Sequence, residues 1–381
     1  MKYKTCKLKD IATVIMGQSP KGSSYNDKGN GKAFLQGNRT FGRLYPIIDT
    51  WTTEPNKIAR EKSILMSVRA PVGDLNIANQ EICIGRGLCS IEMNNENNKY
   101  LFYLLKYSIN EIKRKSSGTV FDSINRTELE NIDIIDFDNE IQNKITSILF
   151  NIDKKIELNN QINDNLFKFA INYLNDKKED TEVPISNFAK IQGGYAFKSK
   201  DLIDNKTKNR VIKIKNLRSE LNADVINSQF VEDEVIASLD SKFKLNTGDV
   251  TIAMTGAELG KTGFIYGFDN YYLNQRVGVI RGNNKERELY LKLLLLSDEF
   301  QTLLNSKGYG SAQPNISTSD IEGILINYIS EVNLKDIYEK LNSVYYRIIS
   351  NCEENLNLEQ LRDILLPKLM NGEIDLDKID I

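Results

Sequence analysis

At 381 residues, with 40% hydrophobic and 27% charged residues, the chain is long enough for two globular domains that each have a core. It contains no histidine, which excludes catalysis by Ser–His or Cys–His pairs and metal sites built on imidazole. Four cysteines without C-x-x-C spacing, no apolar run of 18 residues and no signal-type N-terminus predict a cytosolic protein with free thiols and no metal.

The net charge of −2 is unevenly distributed along the chain. Residues 1–137 carry 20 Lys and Arg against 15 Asp and Glu, a net +5, whereas residues 330–381 carry 6 against 11, a net −5. Mildly basic sequence joined to acidic helical sequence is typical of domains that face an anionic partner and helices that face other proteins.

The first module begins with short strands. Residues 1–98 contain apolar, β-branched runs such as SILMSV and EICIGRGLCSI between turns rich in Gly, Pro and Asn. Residues 99–115 have the periodicity of one helix, and a polar loop covers 116–125. Residues 127–137 predict a helical turn followed by a final strand.

A long helix is predicted over residues 139–175 because apolar residues recur there every three or four positions. The predicted seam is Ile141, Ile145, Ile148, Ile152, Ile156, Ile162, Leu166, Phe169 and Tyr173. The charged segment NDKKEDTEVP, residues 175–184, predicts a solvated linker.

The second module repeats this order, with strands, a helix over 288–306, a loop over 307–319, and a helical turn and strand over 320–329. A second long helix is predicted over residues 331–370. Its predicted seam is Leu334, Ile337, Leu341, Val344, Ile348, Cys352, Leu358, Leu361, Leu365 and Leu369.

The two modules carry matching segments in the same order. KLKDIATVIMGQSPKGSSY in the first matches PISNFAKIQGGYAFKSKDL in the second. Among the paired positions are Gly17 with Gly194, Asn38 with Asn216, Arg86 with Arg276, and Ile124 with Ile316. A repeat of about 180 residues duplicates a whole module rather than a solenoid unit. Two similar surfaces suit a target with two halves better than a single small-molecule pocket.

Each long helix measures roughly 55–60 Å, more than one module can bury. We therefore expect the helices to pack on each other, antiparallel, and to hold the modules apart. A shift of 196 residues superposes the two seams and pairs Asn159 with Asn355. Either these asparagines are buried and fix the register of the helix pair, or each lies at the edge of the apolar stripe.

This arrangement resembles the specificity subunits of type I restriction–modification systems, in which two target-recognition domains alternate with two long helices. The resemblance covers essentially the whole chain. It is carried by LRDILLPKLMNGEI at residues 361–374, by the glycine-bearing loop after the first strand of each module, and by NIST at residues 315–318. The first module has VFDSIN where the second has AQPNIS, so these loops differ in detail.

The patterns and the resemblance together predict an α+β fold with two similar α/β target-recognition domains, two long antiparallel helices and a pseudo-twofold internal repeat. The predicted limits are 1–138 and 184–329 for the recognition domains, 139–176 and 330–371 for the helices, 177–183 for the linker, and 372–381 for a C-terminal tail.

The resemblance also implies a function. The chain would bind a bipartite duplex DNA target, one half-site per domain, and would dock two methyltransferase subunits that use S-adenosylmethionine to methylate adenine. Motor-nuclease subunits would join the complex to cleave unmodified DNA. This chain would hold no active site and no cofactor. In agreement, the sequence lacks the N-P-P-Y-like loop and F-x-G-x-G-like turn of an adenine methyltransferase, and the G-x-x-x-x-G-K-[ST] phosphate loop.

Candidate DNA contacts lie in loops rich in Arg, Lys, Asn and Gln, the residues that read bases in the major groove or hold phosphates. The candidates are Gln18, Lys21, Asn38, Arg39, Arg43, Arg69 and Arg86 in the first module, and Lys198, Lys200, Lys215, Asn216, Arg218, Lys261, Arg276 and Gln313 in the second. For each of them the alternative is a solvated surface residue. Arg86 and Arg276 are the strongest individual candidates, with a structural ion pair as the alternative.

The competing function is a helical scaffold for protein assembly that does not bind DNA. The neutral total charge of residues 181–329, with 18 basic and 18 acidic residues, favours this alternative. An enzyme that works with carboxylates alone would need an isolated Asp or Glu pair in an apolar setting, and the sequence points to none.

Overall fold

The computed structural model describes residues 3–116, 123–218, 221–306 and 315–376. The chain divides into two compact units: unit 1 is Met1–Glu157 with Leu358–Ile381, and unit 2 is Leu158–Asn357. This division cuts both long helices, whereas the limits predicted from the sequence keep each helix whole. Those limits stay a prediction.

The strands of unit 1 are short, as the turn-rich sequence predicts. They are β1 (Tyr3–Lys7), β2 (Ala12–Met16), β3 (Tyr25–Asn26), β4 (Lys32–Leu35), β5 (Trp51–Thr52), β6 (Ile58–Ala59), β7 (Ile64–Ser67), β8 (Leu75–Ile77), β9 (Ile82–Ile84), β10 (Leu88–Met93) and β11 (Asp133–Phe137). The helices are α1 (Leu8–Ile11), α2 (Asn98–Tyr107), α3 (Ile109–Ser116), α4 (Arg126–Glu130) and α5 (Asn139–Asn175), which continues into unit 2.

Two sheets organise unit 1. One is antiparallel with the order β2-β10-β7-β8, and the other has the order β3-β5-β4-β9-β6, with β4 and β9 parallel. Strand β1 pairs with β11. Helix α2 buries Tyr100, Leu101 and Leu104 in the core that also contains Ile64 and Ile91 of the first sheet. These apolar contacts hold the strand ends in fixed positions.

The described strands of unit 2 follow the same order as those of unit 1, although its first short helix lies at a different place along the chain. Its strands are β12 (Glu182–Pro184), β13 (Ala189–Gly193), β14 (Leu202–Ile203), β15 (Asn209–Ile212), β16 (Gln229–Val231), β17 (Lys244–Leu245), β18 (Val250–Ala253), β19 (Thr262–Phe264), β20 (Asn270–Leu273), β21 (Val277–Gly282) and β22 (Leu325–Asn327). Its helices are α6 (Asp233–Ala237), α7 (Lys285–Leu295), α8 (Asp298–Ser306), α9 (Thr318–Glu322) and α10 (Glu331–Met370), which continues into unit 1.

The sheets of unit 2 reproduce those of unit 1. Their orders are β13-β21-β18-β19 and β14-β16-β15-β20-β17, with β15 and β20 parallel and β12 paired with β22. Single hydrogen bonds repeat as well: Ile124 N donates to Val68 O at 3.1 Å, and Ile316 N donates to Met254 O at 2.9 Å. The predicted fold class and internal repeat are confirmed.

The two medium helices predicted over 99–115 and 288–306 are each broken. Helix α2 ends before Ser108, where Glu111 N donates to Ser108 O in a tight turn that starts α3. Between α7 and α8, the buried Ser297 hydroxyl donates to Leu294 O at 2.6 Å and competes with the helical pattern. The apolar periodicity did not predict these breaks, because the helices on both sides of each break bury an apolar face.

The charged segment 175–184, predicted to be a solvated linker, is a strand at its C-terminal end. Residues 182–184 form β12, in which Val183 is aligned with Ile326 of β22. The charge run therefore ends in a strand that closes unit 2, as β1 pairs with β11 in unit 1.

The helix seams differ in part from the prediction. In unit 1, α5 buries Ile141, Ile145 and Ile156. In unit 2, however, Ile162 is 43% exposed and Phe169 51% exposed. The buried positions there include asparagines instead of the expected apolar residues. Within this unit, α5 and α10 run antiparallel, because contacts advance along one helix as they recede along the other.

Candidate nucleic-acid interface

Three loops of unit 1 meet at Ser19, at the carboxyl ends of β2, β4 and β9. The Ser19 hydroxyl donates to Gln36 Oε1 at 3.0 Å and accepts from Arg86 N at 3.2 Å. Gln18 N donates to Ile84 O at 2.9 Å. The side chains of Gln18, Gln36 and Arg86 are exposed. We call these three residues the first tip cluster.

Unit 2 builds the same backbone frame. Tyr195 N donates to Leu273 O at 2.8 Å, which is the equivalent of the bond from Gln18 N. Gln275 N in turn donates to Tyr195 O at 2.8 Å. Tyr195, Gln275 and Arg276 are exposed here and form the second tip cluster.

A glycine is required in each frame at the point of closest backbone approach. A Cβ atom on Gly17 would lie 2.2 Å from Gly85 O, and one on Gly194 would lie 2.2 Å from Asn274 O. Any side chain would push the loops apart. The predicted pairing of Gly17 with Gly194 therefore has a steric cause.

The pairing of Arg86 with Arg276 is displaced by one residue. Gly87 O accepts from Val68 N at 2.9 Å, and Arg276 O accepts from Met254 N at 3.0 Å. Arg276 is thus the equivalent of Gly87, and Gln275 is the equivalent of Arg86. The sequence match aligned two arginines of similar context, but hydrogen bonding fixes the register.

Asn38 and Asn216 are displaced in the same way. Leu35 is aligned with Ile84 in unit 1, and Ile212 is aligned with Leu273 in unit 2, so Leu35 and Ile212 are equivalent. The sequence match had instead placed Leu35 opposite Lys213. The loops that follow these strands then take different courses.

The other predicted residues of unit 1 are dispersed around the first tip cluster. Lys21 and Arg69 are exposed. Arg39 is exposed and lies 2.6 Å from Asp49, while the half-buried Asn38 donates to Asp74 at 2.5 Å.

Arg43 has a structural role that the sequence did not indicate. Its guanidinium lies 3.6 Å from the Asp153 carboxylate of α5 and pairs with Glu359 of α10. Asp153 is buried, and it also accepts from Arg362 at 2.6 Å and from the Tyr103 hydroxyl at 2.7 Å. Two carboxylates already neutralise Arg43, so we exclude it from the DNA contacts.

In unit 2, Lys198, Lys200 and Lys215 are exposed. Arg218 pairs with Asp224 at 2.5 Å, and Lys261 pairs with Glu258. Gln313 lies outside the described residues.

Asn216 is buried and cannot reach a bound duplex. Its amide donates to Asp224 O at 2.9 Å and its side-chain oxygen accepts from Lys213 N at 3.0 Å. The side chain thus stabilises the loop from inside, because a buried amide needs such partners.

Sequence reasoning missed Gln36 and Gln275. Glutamine is the side chain suited to adenine, and Gln275 directly precedes a candidate arginine. That adjacency was the available signal. The position of Gln36 next to Ser19 depends on parallel pairing of β4 and β9, which the sequence does not show.

The register asparagines do meet. In unit 2, Asn159 Nδ2 donates to Asn355 Oδ1 at 2.9 Å and to Glu354 at 2.8 Å, and Asn159 is fully buried. Nearby, Asn351 donates to Asn163 at 2.7 Å. The seam of unit 2 thus has a polar centre.

Within the described ranges, no group of three or more Cys, Asp or Glu side chains could hold a metal ion. None of the helices in the described part of the chain has both the length and the apolar character to cross a bilayer.

The protein has an internal repeat of one α/β unit, and each copy has a loop cluster. Two long helices run through both units. This arrangement is that of a recognition protein with two similar domains. A family model described as the type I restriction modification DNA specificity domain matches residues 1–167 and 177–360. The chain belongs to this family. It is a DNA specificity subunit of a type I restriction–modification complex, with two recognition domains.

Similar proteins agree with this assignment. The MjaIX type I restriction enzyme specificity subunit of Methanocaldococcus jannaschii is 23% identical over 351 residues, covering 85% of this chain and 80% of that protein. A relative from the same organism, named for the MjaX type I restriction enzyme as its specificity subunit, is 46% identical over 147 residues. That match spans 38% of this chain and 35% of the relative.

One solved structure shares the fold over the whole chain. It is the S subunit of the type I restriction–modification system from M. genitalium, with a TM-score of 0.60 and 14% identity. The superposition covers 97% of this chain and 96% of that one.

Proposed function

We propose that each unit reads one half of a bipartite duplex DNA target through its tip cluster. The observation that carries this proposal is one backbone frame built twice with different side chains at its tips. The first tip cluster presents Arg86 where the second presents Gln275, and Gln18 where the second presents Tyr195. A common frame with different readers suits two half-sites of different sequence.

The side chains match known modes of base reading. Arginine donates two hydrogen bonds to guanine O6 and N7, and glutamine pairs with adenine N6 and N7. Arg86 and Gln18 thus suit a half-site with guanine and adenine, whereas Gln275 and Arg276 offer the same pair of chemistries from adjacent positions. Tyr195 adds an apolar ring edge for a thymine methyl group.

The helices would dock the partner subunits. In unit 2, Leu158, Ile162 and Phe169 of α5 are all more than two-fifths exposed and fall on one side of the helix. An exposed apolar row of this kind marks a protein interface. We assign it to a methyltransferase subunit, two of which would bind S-adenosylmethionine and methylate adenine, with motor-nuclease subunits completing the complex.

The chain itself would be non-catalytic. Without histidine, and without the base-holding loop of an adenine methyltransferase, it has no means of methyl transfer. We expect the rigorously purified chain, mixed with S-adenosylmethionine and duplex DNA, to transfer no methyl group. Methyl transfer that follows this chain through every purification step would contradict the proposal.

Base reading is tested by Arg86→Ala and Arg276→Ala in the assembled complex. Loss of a base contact should cost roughly 1–3 kcal/mol of binding free energy and relax one half-site only. Loss of a phosphate contact should instead lower the salt slope by about one unit. Arg60→Ala is the control, because Arg60 is exposed and pairs with Glu92 near the opposite end of β10. Unchanged affinity and salt dependence in both folded variants would favour a scaffold that does not read DNA.

Docking is tested by Leu158→Asp with Phe169→Asp. The charges should prevent burial of the apolar row, so that the variant no longer co-elutes with the methyltransferase in size-exclusion chromatography. Ile226→Asp is the control, since Ile226 is 49% exposed in unit 2 but lies in a loop outside the helices. A double variant that still forms the complex would assign docking to another surface.

A further inference from the structure

Unit 1 has an open groove of about 630 Å³ between strands β2 and β6. Its floor is formed largely by the β2 strand and by Ile58. Asn56, Lys57 and Arg126 line it and are all exposed. The lining residues are Thr13, Val14, Ile15, Met16, Asn56, Lys57, Ile58 and Arg126.

The groove adjoins the first tip cluster. Asn56 Nδ2 donates to Ser19 O at 3.2 Å, and Ser19 is the residue that joins Gln36 and Arg86. A duplex seated on the tip cluster would therefore carry its backbone toward the groove.

Both basic side chains of the groove have hydrogen-bond donors that are available to a ligand. The Lys57 ammonium has no ion pair with any residue in the described ranges. Arg126 uses Nε to donate to Glu130 at 2.6 Å, and its side chain is 60% exposed. Its two terminal amino groups make no hydrogen bond within the described part of the chain. Arginine and lysine donors of this kind suit phosphate oxygens.

Unit 2 has an aromatic residue in place of Lys57. Ile58 is aligned with Cys83 in unit 1, and Lys244 is aligned with Tyr272 in unit 2. Cys83 and Tyr272 are equivalent, so Ile58 corresponds to Lys244 and Lys57 corresponds to Phe243. The Phe243 ring packs on Tyr195 with 5.6 Å between centroids.

The arginine is also specific to unit 1. Asn125 and Ser317 cap equivalent helices, so Thr318 stands where unit 1 has Arg126. Glu322 is therefore free to accept from Ile191 N at 2.8 Å on the strand edge, whereas Arg126 engages Glu130 in unit 1. Unit 2 therefore has no counterpart of Lys57 or Arg126 at these two positions. It has other cations in the same region, because the exposed lysines Lys190, Lys242 and Lys244 correspond to Thr13, Asn56 and Ile58.

We propose that the groove binds backbone phosphates of duplex DNA beside the half-site read by unit 1. This inference rests on the proposed function and adds to it the two side chains, Lys57 and Arg126, that would hold the DNA backbone next to the first tip cluster. The net charge of +5 over residues 1–137 agrees with an anionic ligand for this unit. Phosphate contacts fix the position of the duplex without reading its sequence.

The test uses the assembled complex carrying Lys57→Gln, Arg126→Gln or both, with binding to target duplexes measured over a range of salt concentrations. Each substitution should lower the slope of log affinity against log salt by about 0.9, and the double variant by about twice that amount. Affinity for unrelated duplexes should fall in parallel, while the base preference of both half-sites stays unchanged. Lys28→Gln is the control, because Lys28 is exposed and follows β3, which lies at the edge of the five-stranded sheet opposite to β6.

Three results would overturn the inference. A slope that equals that of the wild-type complex, in variants with unchanged thermal unfolding, would remove the phosphate site and leave the proposed function intact. A relaxed base preference in one half-site would make Lys57 or Arg126 a base reader instead. A wild-type complex that fails to prefer any duplex sequence would overturn the proposed function together with this inference.

Discussion

Asp153 is a buried carboxylate that faces two arginines in unit 1. Burial by itself would raise its pKa, but the charge of Arg362 and the hydrogen bonds from Tyr103 and Arg362 outweigh burial and lower the pKa below its usual value. Burial also lowers the pKa of nearby Lys106. The cluster therefore depends on an ionised Asp153.

We predict that Asp153→Asn destabilises unit 1 by roughly 1–3 kcal/mol, because Arg362 loses its buried partner and keeps only the exposed Asp363, while Arg43 keeps Glu359. The measurement is chemical unfolding of the complex or the chain. Asp49→Asn is the control: Asp49 pairs with Arg39 on the surface, where solvent screens the ion pair, so this substitution should change stability much less. Equal effects of the two substitutions would contradict the buried cluster.

The same cluster predicts a pH dependence. Because the folded pKa of Asp153 lies below the unfolded value near 3.9, its contribution is present above that pH and is lost as pH falls through the folded pKa. Acid unfolding of Asp153→Asn should therefore show a shallower fall in stability below about pH 4 than the wild type. An equal fall in stability with pH for both proteins would mean that Asp153 has the same pKa in the folded and the unfolded state.

Single site residues could be predicted only in part. Arg39 and Arg43 look alike in sequence, four positions apart in one basic loop, yet one lies at the surface and the other between two helices. Asn216 was a candidate for base contact because Asn is suited to adenine, but its side-chain amide donates to the backbone oxygen of Asp224. Exposure of Arg86 and Arg276 was predictable because each lies in a turn between apolar strands.

At the scale of elements, the long helices were predictable because their apolar residues recur over ten turns. Asp138 also accepts from Ile141 N at 3.0 Å and marks the start of α5. The seam itself was less predictable. Asn163 is buried and Ile162 exposed, because amides that bond across the helix pair satisfy each other and leave the neighbouring isoleucine outside.

The Asn159–Asn355 contact makes a prediction about this helix pair. Asn159→Leu should lower the stability of unit 2 by about 1–3 kcal/mol, because Asn355 loses a partner in a buried setting. Adding Asn355→Leu should restore much of the lost stability, because it removes the amide that Asn159→Leu leaves without its partner. The native pair is itself incompletely satisfied, since Asn159 Oδ1 lacks a hydrogen bond.

A double-mutant cycle by urea unfolding measures this coupling. Asn165→Leu is the control, because Asn165 is exposed on the same helix and its replacement should change stability by about 0.5 kcal/mol or less. Strictly additive effects of the two buried substitutions would refute a coupled pair.

At the scale of the whole molecule, the repeat was the most predictable feature. Matching segments in constant order do not require correct local register, so the duplication was visible although Arg86 and Arg276 were misaligned by one residue. The groove at Lys57 and Arg126 was not predictable. It depends on which strands become neighbours in the fold. It also depends on the hydrogen bond between Arg126 and Glu130, which the sequence does not predict.

The sequence also predicts that helix length sets the spacer between the half-sites. Removing four residues near Asn159 from α5, with four near Asn355 from α10, shortens the pair by roughly 6 Å. Since duplex DNA rises 3.4 Å per base pair, the preferred spacer should shorten by one or two base pairs while both half-sites persist. Some affinity will be lost, because four residues exceed one turn by about 40°. An unchanged spacer in an active complex would refute this relation.

The most direct test of the central claim, that each unit reads one half of a bipartite target, is a map of methylated adenines in host DNA. It compares cells that carry the partner methyltransferase with the wild-type chain, with no chain, with Arg86→Ala, and with Arg276→Ala. We predict a bipartite methylated motif that disappears without the chain, and relaxation of one half in each variant, a different half in each case. A motif that persists without the chain, or two variants that alter the same half, would contradict the account.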